Sequence, residues 1–351
     1  MAVFSQSALK SIHLRTLQDD FPICAPSQAT GPCRQPPYAL TATRTEAMSL
    51  DVKLLHVSGP TYAPSRTLHW LRCPRLSQYA REWEPPGEWT PNLLVGQAIH
   101  AGIAHFLSDG MGDALLGISR AQDFLEQGWP GEQPGIEGAS DLMLKGLKKA
   151  LRQDLLGGGW IVSVEGCLDH DAIRDGLDAP HSGVPGVCAI ADMIHETVHG
   201  ELSITDHKTK MVLDTKWVAK QLRDTETSWQ LFDYARRATL KYGRWVGEIR
   251  QHLVICSPIP KSAIETVAIT PERLIHWTRS AEVVWARMRA DERMAADGGG
   301  HLAYPMNWTS CWDFTRNDDE APPGCPMFDG CHRLLGDTTK FPAFYRRREH
   351  N

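Results

Sequence analysis

The chain has 351 residues, room for one large domain or two modest ones at about 100–200 residues per domain, and enough to bury a core without covalent staples. Apolar residues at 42% and charged residues at 23% exclude a fibrous or wholly disordered protein. With 37 basic against 42 acidic side chains the net charge is −5, so no overall positive field draws the chain to nucleic acid or anionic lipid, and any such binding has to be local. No apolar run reaches membrane-spanning length and no cleavable leader is visible, so the expectation is a cytosolic protein with no membrane partner.

Residues 1–50 show no sustained apolar period and carry scattered Pro, Ser, Thr and Gly, which reads as a loose extension. Leu68, Leu71, Leu76, Tyr79 and Trp83 then fall at helical spacing, which predicts one helix from Leu68 to Trp83 with Cys73 inside it, ended by Pro85-Pro86. Thr90 and Pro91 are a good cap and first residue for a helix reaching about Leu107 that carries Gly96, His100 and His105. A third helix is expected from about Ser140 to Leu155, stopped by Gly157-Gly158-Gly159.

The pattern then changes to short alternating or β-branched runs at Trp160–Leu168, Val187–His195 and Glu201–Asp206, expected as three antiparallel strands. A helix follows from Ser228 to Tyr242, then strands near His252–Cys256 and Thr266–Thr270. A last long helix starts at Pro271 behind a Thr270 cap.

Acids are depleted in strands and costly on a buried face, so those that sit there stand out. Asp206 and Lys208 are two apart and share a strand face; Asp192 lies on the preceding predicted strand and Glu165 on the one before. A hairpin would bring Asp192 and Asp206 within reach of one cation. Hard oxygen ligands suit Mg²⁺ or Mn²⁺, which bind phosphate and activate water, and a neighbouring lysine can offset developing negative charge. An exposed ion pair at a strand end would give the same Asp-x-Lys pattern. Gln230 and Tyr234, four apart on a helix, could bond and stack on a nucleic-acid strand, or could simply be a packed Tyr beside an exposed Gln. His100 is open to two readings, metal ligand or packing residue.

Taken in order, His100 in Gly96-Gln97-Ala98-Ile99-His100, then Glu165, Asp192, Asp206-His207-Lys208-Thr209 and Gln230-Leu231-Phe232-Asp233-Tyr234 resemble the PD-(D/E)XK nuclease superfamily. Within it they resemble the RecB-like branch, which includes CRISPR-associated RecB-type exonucleases and related phage enzymes. The resemblance implies an α/β fold with a restriction-endonuclease-like core, a central mixed sheet flanked by helices, and a helical N-terminal part, over about residues 51–335. It implies a Mg²⁺- or Mn²⁺-dependent DNA exonuclease of a bacterial or phage-encoded cytoplasm, working on ends or single strands with a recombination, repair or helicase partner. Carried over, His100, Asp192 and Asp206 are metal ligands, Lys208 is the catalytic lysine, Glu165 is a further catalytic acid, and Gln230 and Tyr234 contact substrate. Ala191 stands where the superfamily's name has proline, a substitution common in this branch.

Nine cysteines, an odd number scattered over a long chain, do not read as a disulfide framework. Cys311, Cys325 and Cys331 lie in a Pro- and Gly-rich stretch able to wrap an inorganic centre. The resemblance supplies a fourth thiol: some members hold a 4Fe-4S cluster on one cysteine before the core and three after it, which correspond to Cys73, Cys311, Cys325 and Cys331. Zinc is the rival occupant, since four thiolates suit it and His332 adds another ligand. Cys167, Cys188 and Cys256 sit in apolar strand patterns and read as packing residues. Beyond residue 335 a basic tail, 336–351, carries Lys340 and Arg346-Arg347-Arg348 after the aromatic Phe344 and Tyr345, with Lys208, Lys210, Lys216 and Lys220 as a second basic group. Two other readings remain open on these residues: a nuclease-like nucleic-acid-binding subunit without catalysis, and a zinc-stapled interaction protein.

Overall fold

The computed structural model describes residues 51–58, 61–84, 90–108, 112–131, 135–168, 189–211, 215–299, 303–304 and 346–347. The chain divides after Ser49 into two units, and the described residues all belong to the second.

Two short helices, α1 (Pro64–Arg72) and α2 (Pro74–Glu82), stand where the spacing predicts a single one. Pro74 is the reason. Its ring disfavours the helical conformation in the residue before it, so Cys73 turns extended (φ −161°, ψ 114°) while its N–H still closes α1 on the His69 carbonyl at 2.9 Å. Cys73 is therefore a buried break between helices and not a residue within one.

Helix α3 (Pro91–Ser108) begins as expected, behind Thr90. It crosses α4 (Ala114–Gly128) at a pair of glycines: a Cβ on Gly102 would meet the Gly117 carbonyl oxygen at 2.8 Å, and a Cβ on Gly117 the Gly102 oxygen at the same distance. Helix α5 (Ile136–Leu151) buries Leu144, Leu147 and Leu151 but starts and ends four residues before the positions the apolar pattern suggested.

The sheet has five strands in spatial order β1 (Trp160–Cys167), β2 (Ile190–Glu196), β3 (Leu202–Lys210), β4 (Val246–Ile255) and β5 (Lys261–Ala268). The first three form the expected antiparallel meander, β3 and β4 pair in parallel, and β5 returns antiparallel. Parallel pairing needs a long crossover. It is supplied by α6 (Thr215–Thr225) and α7 (Trp229–Tyr242), the latter capped by Ser228, whose Oγ accepts from the Leu231 N–H. The result is a mixed sheet flanked by helices.

The two sheet faces differ. On one, Ile194, Leu202, Ile204, Ile249 and Val267 pack under Leu231, Phe232 and Ala235 of α7 and Leu274 of the long helix α8 (Pro271–Met294), a dry apolar core. The other face lies under α3 and α5 and is polar although buried, with His195, Ser203, Thr205, His207, Arg250 and His252 at 7% exposure or less.

The N-terminal helices are fastened to α8 by polar contacts. Tyr62 donates to Glu292 at 2.6 Å, Trp70 to Asp291 at 3.0 Å, Trp285 to Thr67 at 3.2 Å, and Arg66 pairs with Glu292. Buried Arg237 pairs with Asp233 at 3.0 Å and donates to the Tyr62 carbonyl at 2.9 Å. Trp83–Glu84 pairs antiparallel with Arg346–Arg347, a two-residue ladder. Among the described residues no helix is long and apolar enough to cross a membrane.

Candidate active site

The site forms where the β2–β3 ladder ends. Regular pairing runs from Glu196–Leu202 to Met193–Thr205. At the next position the Asp192 carboxylate accepts the His207 backbone N–H at 2.6 Å, which fixes the acid across the mouth of the two strands. Helix α3 delivers His100, whose Nδ1 lies 3.6 Å from Asp192 Oδ2.

From β1, Glu165 stands opposite Asp192, between the pairs Val164–Met193 and Gly166–Ala191. Its φ is +49°, which no other described non-glycine residue adopts in sign. A left-handed backbone costs a residue with a Cβ roughly 1–2 kcal/mol, and strain of this kind gathers where a side chain has to be aimed. The aim here is at its neighbours: one ligand atom from each of His100, Glu165 and Asp192 lies within 4.8 Å of the others. Glu165 is itself exposed, and partial desolvation by the groups around its carboxylate, then the Asp192 charge, raise its pKa, as expected for a carboxylate crowded by another. Two carboxylates and one imidazole form a donor set that suits Mg²⁺ or Mn²⁺.

Asp206 and Lys208 follow along β3 on one face. Lys208 Nζ lies 2.8 Å from Asp206 Oδ2 and 3.1 Å from Oδ1. Burial opposes the ammonium, but the Asp206 charge and hydrogen bond, with Asp192 behind them, outweigh it and raise the Lys208 pKa, so the amine stays charged. Burial also raises the Asp206 pKa, and Lys208 only partly offsets that. Gln230 on α7 ties the pair together: its Oε1 accepts from Lys208 at 3.5 Å, and its Nε2 lies 3.3 Å from Asp206 Oδ1 and 2.7 Å from the Tyr234 hydroxyl.

The structure thus gathers every core residue singled out in the sequence, with two differences in arrangement. The tight three-residue group contains Glu165 where the resemblance supplies Asp206, which instead accepts hydrogen bonds from Lys208 and Gln230. Tyr234 is not a stacking platform, since its ring is buried at 7% exposure and its hydroxyl is taken by Gln230; burial raises its pKa. A base needs an open ring face, so Tyr234 supports the Asp206–Lys208 pair from behind. Lys220 is held by Asp224 at 2.6 Å. Cys167 is half-buried and Cys256 fully so, its thiol pushed up to about 12 by burial. Of the four thiols expected to share an inorganic centre, Cys73 is buried and not in a disulfide, while Cys311, Cys325 and Cys331 lie outside the described residues. Also outside are Cys188, His332 and the basic tail apart from Arg346–Arg347. The role of the His207 backbone was not foreseeable from its side chain; the only signal was its place between the acid and the lysine of the motif.

No family model matches the chain, and no curated protein matches it. Among solved structures it is similar to a "Putative exonuclease" from Eubacterium rectale, at 13% identity and a TM-score of 0.43, over 80% of this chain and 95% of that one. A likeness that distant carries no weight for the chemistry, which rests on the side chains.

Proposed function

We propose that the protein is a divalent-metal-dependent phosphodiesterase acting on DNA, of the exonuclease type. One observation carries the reading: His100, Glu165 and Asp192, from three separate elements, converge within 4.8 Å of one another beside the half-buried, charged Lys208. His100, Glu165 and Asp192 would hold Mg²⁺ or Mn²⁺, with Asp206 as a further carboxylate on the same edge. The bound cation supplies charge neutralisation at a phosphate and a lowered pKa for water. Lys208 offsets negative charge that builds on the phosphate, and Gln230 holds that ammonium and the Asp206 carboxylate in register. The His207 N–H keeps Asp192 aimed into the site.

DNA as substrate, ends or single strands as its form, and a recombination or repair partner come from the motif resemblance. So does a 4Fe-4S cluster on Cys73, Cys311, Cys325 and Cys331 as a structural tie. The buried position of Cys73, at the end of α1, is compatible with that tie.

The test is anaerobic purification, an iron, sulfide and zinc assay, and cleavage of end-labelled DNA with Mg²⁺ or Mn²⁺ against EDTA. Metal-dependent cleavage that disappears in Asp192→Ala and Lys208→Ala is expected. Cleavage that survives Lys208→Ala removes the catalytic assignment, and DNA binding without cleavage by the unaltered protein moves the reading to a non-catalytic subunit. Zinc without iron or sulfide replaces the cluster by a zinc centre.

A further inference from the structure

Ile259 is the most solvent-open large apolar side chain among the described residues, at 73% exposure. A lone surface isoleucine is ordinary. This one is held rigidly, at the end of the sheet that carries the candidate site. It stands in the five-residue loop 256–260 between β4 and β5, which the pair Ile255–Lys261 closes. The base of the loop is fixed on two sides: the Cys256 N–H donates to the Lys210 carbonyl at 2.7 Å, and Gly146 of α5 lies so near that a Cβ on it would stand 2.5 Å from Cys256 Sγ. The tip is fixed by its own chemistry. The rings of Pro258 and Pro260 lock their φ and restrict the residues before them, Ser257 and Ile259, and Ser257 Oγ donates to the Ile259 carbonyl at 2.6 Å. A loose loop could fold its isoleucine back onto the protein; this one keeps it in water.

Register ties the tip to the site. Lys208 pairs with Leu253, and at the end of the sheet Lys210 pairs with Ile255 and Ile255 with Lys261. Residues directly opposite one another share a sheet face, so Lys208, Lys210 and the exposed Lys261 lie on the face that carries Asp206, and the tip projects beyond them. Two residues of β4, from Leu253 to Ile255, and half of the loop, at about 3.3 Å of rise per residue, put Ile259 roughly 15 Å past the Lys208 row. That is about four or five nucleotides of a stacked strand at about 3.4 Å each. A DNA whose phosphate lies at Lys208 therefore reaches the tip within a few base pairs.

We propose that the Pro258-Ile259-Pro260 tip is a wedge for the end of duplex DNA: Ile259 presses into the last base pairs and parts them, and Lys261 at the base of the hairpin meets the phosphates of the strand that runs on to Lys208. The proposal deepens the phosphodiesterase reading and rests on it, naming the duplex end as the form of substrate. Isoleucine and proline are among the apolar residues that unstack base steps when inserted into a duplex. A tip ordered before contact loses little freedom on binding. A protein partner is the poorer fit, because the tip offers one apolar side chain above lysines and not a contiguous apolar patch. A single strand has no pairs to part, so Ile259 bears on duplex ends above all.

The test uses the full chain and its Ile259→Ser and Ile259→Leu variants, with Mn²⁺, on one DNA sequence offered as a blunt duplex and as a single strand. Ile259→Ser should lower the ratio of duplex to single-strand cleavage about tenfold or more, and Ile259→Leu should keep most of it. A second readout needs no cleavage: with Ca²⁺ in place of Mn²⁺, a duplex carrying 2-aminopurine in its last base pairs should brighten on binding the unaltered protein and not on binding Ile259→Ser, with anisotropy as the measure of binding. If the unaltered protein cleaves no DNA at all, the phosphodiesterase reading fails and the 2-aminopurine signal alone decides the wedge. An unchanged ratio, a loss shared equally by both substrates, cleavage confined to single strands, or terminal bases that stay stacked under the unaltered protein overturns the proposal and leaves the tip to a protein partner.

Discussion

Replacing Glu165 by glycine and by alanine separates what its backbone costs from what its carboxylate does. In an ordinary strand Gly is less stable than Ala by roughly 0.5–1 kcal/mol, because it loses more freedom on folding. At φ +49° the order should reverse. Alanine retains the left-handed strain of roughly 1–2 kcal/mol and glycine does not. At mid-range values the difference leaves Glu165→Gly more stable than Glu165→Ala by about 0.75 kcal/mol once the entropy of glycine is subtracted. Both variants lose the carboxylate and its repulsion with Asp192 equally, so that contribution cancels in the comparison. Urea unfolding of the two proteins in EDTA measures it directly. Equal stability, or alanine above glycine, would show that Glu165 is not strained and that its aim into the site costs nothing.

Other consequences can be checked on the same protein. The native fold binds the Glu165 proton more tightly than the unfolded chain, so the stability this group contributes falls as pH rises through the window above the ordinary carboxylate range. Without divalent metal, unfolding midpoints measured from about pH 4 upward should therefore show the unaltered protein losing ground to Glu165→Gln, and added Mn²⁺ should reduce the gap by binding only the folded, carboxylate-bearing form. Arg237→Met strands the buried Asp233 carboxylate and should cost about 3–5 kcal/mol, more than the double replacement Asp233→Leu with Arg237→Met; denaturant titration decides. Gly102→Ala drives a methyl against the Gly117 carbonyl and should cost about 1–3 kcal/mol, read as a lowered unfolding midpoint.

Much of the frame was legible where local chemistry and tertiary structure agree. Thr270 is a helix cap in sequence and in structure, the helix expected from Ser228 begins one residue later with that serine as its cap, and the shift from helical to alternating spacing at Trp160 marks the first strand of the sheet. Failures fall where a residue's meaning depends on what packs against it. The sequence reading assigns no element to Ala114–Gly128, where the structure has α4, and the use of its Gly117 is visible only once the Gly102 turn of α3 is seen to occupy the space where a side chain would be. The alternation of Ser203, Thr205, His207 and Thr209 has the form of a solvent-facing edge, and only the helices laid over it make it an interior. At the site, order and spacing pointed to the acids, the lysine and His100. Nothing in a glutamate's identity announces a left-handed backbone, and nothing in a Gln–Tyr pair says which way the ring will turn.

The fastening of α1 to α8 has a consequence for synthesis. Tyr62 and Glu292 are 230 residues apart in the chain, and Trp70 and Asp291 are 221. A ribosome adding 5–20 residues each second needs roughly 11–46 s to bring the second partner of such a pair into being. Throughout that interval the first helices have emerged with Tyr62 and Trp70 uncovered. The nascent protein thus passes through a prolonged half-made stage, in which a holding chaperone would have its longest opportunity to engage.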